Sequence, residues 1–173
     1  IMRMSTGMDE GPVYCSHKIK ILKSDNKIDL ESKLVSLCVK NLENDLSNIL
    51  NNKLSLEEQN NDEASYCSKI DKLSGKTDFT KESTKEIFQK FKAFIGWPGL
   101  YFEKNNIAIK IHGLEEYNGN KEAFKESDFK FISEGLAVKT YDSMIVVTHL
   151  QFPGKRIISA SDAANAHAEF FEK

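Results

Sequence analysis

Residues 2–14 of the chain, MRMSTGMDEGPVY, predict an acidic loop between two short apolar runs. Within it, Asp9 stands between Gly7 and Gly11, so that flexible backbone flanks a carboxylate. A loop of this kind can bring its backbone close to a ligand and aim one acid at it. The alternative is an Asx-type turn, in which the acid only satisfies backbone donors of its own turn.

The loop is followed by a long predicted helix. Two short strands, residues 1–4 and 13–21, are expected to flank the loop. Asp29 is then expected to cap a helix of roughly 20 residues that ends near Leu50, because apolar residues recur every three or four positions. Two strands give this helix too little to pack on, so we expect an exposed apolar face that favours association. The chain also starts without Met, which indicates a piece cut from a longer protein.

A second part of the chain begins after a polar segment. Residues 52–65 are predicted to be a linker because they contain almost no large apolar groups. Beyond it, Thr80 or Ser83 is expected to cap a helix that carries its aromatic residues on one face. This helix is expected to end at Gly96, since a proline follows two residues later. Trp97 is predicted to anchor the helix by packing rather than to stack on bases.

The remainder of the chain predicts a small β-barrel and a final helix. Residues 113–128 are polar and are expected to form a loop. Ser161 or Asp162 is expected to cap the final helix. The predicted strands of the barrel are residues 100–103, 107–112, 129–132, 136–141 and 144–152.

Composition excludes several classes of protein. With 173 residues, 40% apolar and 29% charged, the chain suits a soluble globular protein. No apolar run approaches the ~18 residues of a membrane helix, so no membrane partner is expected. Three scattered cysteines do not make a disulfide framework and indicate a reducing, cytoplasmic setting. Cys15 and His17 lie two positions apart, but no second ligand pair completes a site, so no metal is expected.

Four stretches of the sequence match one known family in order and spacing. They are MRMSTGMDEGPVY at 2–14, SYCSKIDKLSGKTDF at 65–79, FKAFIGWPGLYFE at 91–103 and LQFPGKRIISASD at 150–162. Together they resemble the methionyl-tRNA formyltransferase family of the folate-dependent formyltransferase superfamily. The resemblance covers nearly the whole chain, but only about the second half of a complete family member.

The resemblance implies an α+β fold in three parts. Residues 1–51 would be the tail end of an α/β formyltransferase catalytic domain, and residues 52–65 the linker. Residues 66–173 would be a small C-terminal OB-like β-barrel with helices. A complete member is expected to be a monomer.

The resemblance also implies a reaction. The family transfers a formyl group from 10-formyltetrahydrofolate to the methionine amine of initiator methionyl-tRNA in translation initiation. Asp9 matches the family's catalytic Asp, which can relay a proton. Gly7, Met8 and Asp9 would form part of the folate pocket. The family's catalytic Asn and His would lie upstream of this sequence, so we expect the chain alone to be inactive.

Contacts to the tRNA are expected from five basic residues. The candidates are Lys69, Lys72 and Lys76 at the junction, and Lys155 and Arg156 after the last strand. Such residues bind phosphates and position a nucleic acid without reading its sequence. The alternative for each of them is a solvated, Lys-rich surface.

Two other functions fit parts of the sequence. One is formyl transfer to an amino-sugar nucleotide, since the acidic loop belongs to the whole superfamily. The other is a stand-alone tRNA-binding module formed by residues 66–173, which leaves the acidic loop unexplained. A tRNA shift assay separates the first alternative from the tRNA enzyme.

Overall fold

The computed structural model describes residues 1–119 and 129–172. The chain forms two compact units, Ile1–Lys69 and Ile70–Lys173. In the described part, no helix combines the length and the apolar character needed to cross a membrane.

The first unit is built on one long helix, α1, at Lys27–Leu50. Asn26 caps it by accepting hydrogen bonds from the N–H groups of Ile28 and Asp29. Asp29 was the predicted cap, and that prediction is wrong. Its carboxylate instead accepts from the Asn26 N–H and so completes a capping box, which places Asp29 inside the first turn.

One side of α1 is apolar and exposed, as the sequence predicts. Val35 is 62% exposed, Val39 73% and Leu50 81%. Only Asp45 is buried along the whole helix. Helix α1 therefore contributes no buried apolar side chain to a core of the first unit.

The two strands predicted at residues 1–4 and 13–21 are not formed. Within residues 1–69, Met2 and Val13 make one isolated antiparallel bridge, and Val13 makes another with Glu57. A strand forms only where a neighbour can pair along its length, and residues 14–21 have no such neighbour. Glu57 lies in the predicted linker, so part of that segment pairs with the N-terminal region.

The second unit contains two helices and an antiparallel sheet. Helix α2 spans Thr84–Ala93, and helix α3 spans Ala160–Glu172. Ser83 caps α2 in a capping box with Glu86, which confirms one of the two predicted caps. The strands are β1 (Leu100–Lys104), β2 (Ile107–Glu116), β3 (Phe129–Ile132), β4 (Gly135–Lys139), β5 (Met144–Gln151) and β6 (Ile158–Ser159).

The sheet has the strand order β1-β2-β5-β4-β3, and β6 pairs with β5. In the described residues, β1 and β3 are not hydrogen-bonded to each other, so a closed barrel is not formed there. The chain is thus a mixed helix and antiparallel-sheet protein. The OB-like character of the predicted barrel stays a prediction.

Three details of the second unit differ from the prediction. Strand β2 continues to Glu116 because its second half pairs with β5, so the predicted loop at 113–128 begins later. Residues 120–128 of that loop lie outside the described residues. Helix α3 is capped by Ser159, whose hydroxyl accepts from the Asp162 N–H, and not by the predicted Ser161 or Asp162.

The core of the second unit lies between the sheet and the helices. Ile87 of α2 and Leu136 of β4 are completely buried, and Phe102 of β1 is 1% exposed. Phe171 of α3 is 2% exposed, and its ring contacts those of Phe102 and Phe131. Burial of such large apolar side chains is the main stabilising contribution to this unit.

Candidate functional site

The acidic loop of the first unit has a fixed and unusual backbone. Asp9 has φ of 56°, in the left-handed region that a residue other than glycine adopts only rarely. The side-chain amide of Gln59 donates to the Asp9 carbonyl at 2.8 Å and to the Gly11 carbonyl at 2.7 Å. A residue 50 positions away therefore holds both sides of the turn. The sequence gives no signal for this role of Gln59, since it lies in a polar segment.

Gly11 is required by a close approach of the chain to itself. A Cβ at this position would lie 1.7 Å from the carbonyl oxygen of Arg3. The Arg3 N–H donates to the Pro12 carbonyl at 2.9 Å, and this bond keeps the two segments together. We expected the glycines to bring backbone close to a ligand, and Gly11 instead brings it close to residue 3. At Gly7 the atoms nearest to an added Cβ all belong to the flexible carboxylate of Glu10.

The side chains at the tip of the loop point into solvent. Met8 is 89% exposed and Asp9 is also exposed. Among the described residues, none makes a hydrogen bond or an ion pair with the Asp9 carboxylate. An Asx-type turn requires that carboxylate to accept a backbone N–H. The turn-forming alternative is therefore not supported, and the acid is available to accept a proton or a ligand donor.

The second unit has a groove of about 580 Å³, called the basic groove below. Its lining includes Lys72, Trp97, Tyr101, Lys110 and Phe152. Trp97 is 57% exposed, so the prediction that it is a packing anchor is wrong. Its ring lines the groove and does not belong to the buried core.

The charge of the basic groove is positive. Glu103 also lines it, but its carboxylate forms an ion pair with Lys76. The hydrogen bond from Lys76 to Glu103 raises the pKa of the Lys76 ammonium group. In the described part of the chain, neither Lys72 nor Lys110 forms an ion pair. These two ammonium groups are therefore left for an anionic ligand.

A turn at the end of β5 presents two further cations beside the groove. The Lys155 N–H donates to the Phe152 carbonyl at 3.1 Å, and Gly154 has φ of 68°. The Gln151 side chain donates to the Lys155 carbonyl at 2.7 Å. Lys155 and Arg156 are exposed and follow directly after Gly154, which lines the groove.

The five predicted phosphate contacts thus fall into three groups. Lys72 lines the basic groove, and Lys155 and Arg156 follow Gly154, which lines it. Lys76 is occupied by Glu103, while Lys69 is exposed at the end of the first unit. Lys110 was missed by sequence reasoning. Its signal is the alternation in β2, where buried Ile109 and Ile111 flank it and place it on the outer face.

A third grouping lies in the first unit. Cys15, His17 and Asp45 bring one sulfur, one nitrogen and one oxygen together. Only Cys15 and His17 are close in the sequence, because Asp45 is 28 residues beyond His17. Only the fold places it there.

Comparison with known proteins identifies relatives of the chain. Residues 69–168 match the family model described as formyl transferase, C-terminal domain. The chain is 31% identical to methionyl-tRNA formyltransferase of Legionella pneumophila over 166 residues, which cover 96% of this chain and 52% of that protein. It is 32% identical to the same enzyme of Finegoldia magna, covering 97% of this chain and 54% of that protein. The chain spans about half the length of these relatives.

Solved structures share the fold. HypX from Aquifex aeolicus in complex with tetrahydrofolic acid has a TM-score of 0.67 and 16% identity, covering 99% of this chain and 30% of that one. The N-formyltransferase from Helicobacter canadensis, in complex with folinic acid and dTDP-3-aminofucose, has a TM-score of 0.62 and 23% identity. That match covers 84% of this chain and 53% of the other. At these identities the likeness concerns the fold alone.

Proposed function

The chain belongs to the formyltransferase family that carries this C-terminal domain, and from that premise we propose that it serves formyl transfer to initiator methionyl-tRNA. The formyl donor in this proposal is 10-formyltetrahydrofolate, a substrate. The observation that carries the proposal is the exposed Asp9 carboxylate on a strained loop that Gln59 holds in place. The tRNA enzymes among the relatives, at 31% and 32% identity, support this acceptor.

Asp9 would move a proton during the transfer. The methionine amine attacks the formyl carbon, and a tetrahedral intermediate with a negative oxygen forms. The attacking nitrogen must lose a proton, and the folate nitrogen must gain one before it leaves. An exposed carboxylate without a protein partner can accept that proton, directly or through a water molecule. The donors that stabilise the negative oxygen are not assigned to residues of this chain.

The same loop would contact the folate. Gly7, Met8 and Asp9 offer backbone groups at the exposed tip, and the Asp9 carbonyl is already bound by Gln59. Ligand binding costs less conformational entropy when the backbone groups that contact the ligand are already ordered. We therefore assign these three residues to the folate pocket.

The basic groove would hold the tRNA backbone. Lys72 and Lys110 line it, and the exposed Lys155 and Arg156 follow its lining residue Gly154. Cations of this kind bind phosphates and make affinity depend on salt. The exposed ring of Trp97 offers a surface on which an unpaired base can stack. Lys69 is kept as a proposed phosphate contact because it is exposed. Of the five predicted contacts, Lys76 has the weakest support, since Glu103 neutralises its charge.

An amino-sugar nucleotide is the alternative acceptor. The Helicobacter canadensis enzyme was solved with such a sugar, and it shares the fold. Its identity to this chain is 23%, below that of the tRNA enzymes. A groove lined by Lys72 and Lys110, with Lys155 and Arg156 following its lining residue Gly154, also suits a polyanion better than a single diphosphate.

Binding by residues 1–173 separates the acceptors. We expect initiator methionyl-tRNA to shift the chain in a gel, with an affinity that falls steeply as salt rises. The amino-sugar nucleotide dTDP-3-aminofucose should not compete at equal concentration. No tRNA shift, together with direct binding of the sugar nucleotide in calorimetry, would reject the tRNA proposal.

Catalysis is tested in a chimera. Residues 1–173 replace the region that they match in the Finegoldia magna enzyme, and formylation of methionyl-tRNA is measured. Asp9→Asn should lower the rate by about a hundredfold or more, the size of a general-base contribution. Glu10→Gln is the matched control and should leave the rate nearly unchanged. Equal rates in the two variants would remove Asp9 from the mechanism.

A further inference from the structure

A buried carboxylate on α1 has an unusual environment. Asp45 is 7% exposed and is the only buried residue of the helix. The ring nitrogen Nε2 of His17 lies 2.7 Å from its Oδ2 atom. The Cys15 sulfur completes a set in which the three ligand-type atoms lie within 4.8 Å of one another.

This arrangement leaves much of the carboxylate's bonding capacity unused. An ionised carboxylate can accept about four hydrogen bonds, and burial is costly unless it is paired. In the described part of the chain, Asp45 has one hydrogen-bond partner, His17, whose side chain is 37% exposed. A small cation between the three groups would satisfy the oxygen, the nitrogen and the sulfur together.

We propose that Cys15, His17 and Asp45 bind a Zn²⁺ ion. Thiolate, imidazole and carboxylate are the three ligand types that Zn²⁺ takes in proteins, whereas Mg²⁺ and Ca²⁺ require oxygen ligands. Three protein ligands leave the fourth tetrahedral position to water. The exposed side of His17 gives that position access to solvent.

The ion would fasten the acidic loop to α1. Cys15 follows directly after Tyr14, whose N–H donates to the Ile1 carbonyl at 2.8 Å. The amino group of Ile1 donates in turn to the Cys15 carbonyl at 2.7 Å. The ligands Cys15 and His17 thus sit on the segment that returns from the loop, and Asp45 sits on the helix.

Cobalt binding to the reduced chain tests the site. Co²⁺ replaces Zn²⁺ and absorbs in the near ultraviolet only when a thiolate is bound to it. We expect wild type to show this band at one equivalent and to lose it when Zn²⁺ is added. Cys15→Ser should abolish the band, and His17→Ala and Asp45→Asn should each weaken Zn²⁺ binding by about tenfold or more.

Matched controls are available in the same chain. Cys38 and Cys67 are exposed and lie outside the set, so Cys38→Ser and Cys67→Ser should leave the band and the affinity unchanged. Zn²⁺ should raise the Tm of wild type and of both controls, but not of His17→Ala, and circular dichroism of His17→Ala checks that it keeps the wild-type fold. No band in wild type at saturating Co²⁺, or an equal band in Cys15→Ser, would overturn the proposal.

Discussion

The ring of Phe102 in β1 stacks on the ring of Phe129 in β3, with centroids 5.3 Å apart and planes 25° from parallel. These strands are the two ends of the sheet path β1-β2-β5-β4-β3. Neighbouring strands lie about 4.8 Å apart, so a flat sheet would separate its outer strands by about 19 Å. The sheet therefore curls until its edges face each other, and Lys104 adds a cation 4.9 Å from the Phe129 centroid.

The stacked pair predicts a large loss of stability on truncation. Phe102→Ala should lower the free energy of unfolding by about 3–5 kcal/mol, because it leaves a cavity where both edges of the sheet meet. Urea unfolding followed by circular dichroism measures this loss. Tyr141→Ala, at a ring that is 67% exposed, is the control and should change stability by less than about 0.5 kcal/mol. Equal losses would show that Phe102 does not join the sheet edges.

Gln59 is predicted to keep the acidic loop ordered. Gln59→Ala removes two hydrogen bonds to the loop, each worth about 1 kcal/mol. Amide hydrogen exchange should rise at Arg3, whose N–H donates across the loop to Pro12, and at Val13, whose N–H donates to Glu57 near Gln59. Helix α2 should keep its protection. Glu58→Ala, a neighbouring exposed change, should leave exchange at both amides as in wild type. Unchanged exchange in Gln59→Ala would mean that the turn holds its own shape.

Lys110 is predicted to matter more for tRNA binding than Lys76. Lys110 has an unpaired ammonium in the basic groove, whereas Lys76 is neutralised by Glu103. Lys110→Ala should therefore weaken the tRNA shift and reduce the slope of log affinity against log salt by about one. Lys76→Ala should reduce this slope less, and Lys85→Ala on the exposed side of α2 should leave the slope unchanged. If Lys76→Ala weakened tRNA binding more than Lys110→Ala, the tRNA would bind at a surface other than this groove.

Asp142 is predicted to give part of the acid sensitivity of the second unit. Its carboxylate accepts the Thr84 N–H at the start of α2 at 2.7 Å, and this bond lowers its pKa below the ordinary 3.8. A lowered pKa in the folded state means that the stabilisation is present above 3.8 and is lost as pH falls through the folded value. Asp142→Ala should cost about 1 kcal/mol at neutral pH, as the loss of a helix cap does.

The pH dependence provides the check on Asp142. The difference in unfolding free energy between wild type and Asp142→Ala should shrink as urea melts are repeated at lower pH, below 3.8. Glu115→Ala, at an exposed position of β2, should show no such trend. A difference that stays constant down to acid pH would show that the bond to Thr84 does not depend on ionisation.

Local features of this fold could be predicted from sequence, and distant ones could not. The Ser83 cap was predictable because Ser83 and Glu86 form their capping box within one turn. Strand β6 was missed because two residues become a strand only through pairing with β5. Gln59 and Asp45 were missed for the same physical reason. Their partners lie 50 and 28 positions away, and nothing in the neighbouring residues indicates the contact.

The burial of Phe171 sets the order of events during synthesis. Its ring packs against Phe102, Phe131 and Phe152, which leave the ribosome earlier. The strands can pair as they emerge, but their aromatic side stays uncovered until α3 has been made. Exposed apolar surface of this kind is what chaperones bind and what aggregates form from. The nascent chain is therefore most vulnerable after β5 is complete and before residue 171 arrives.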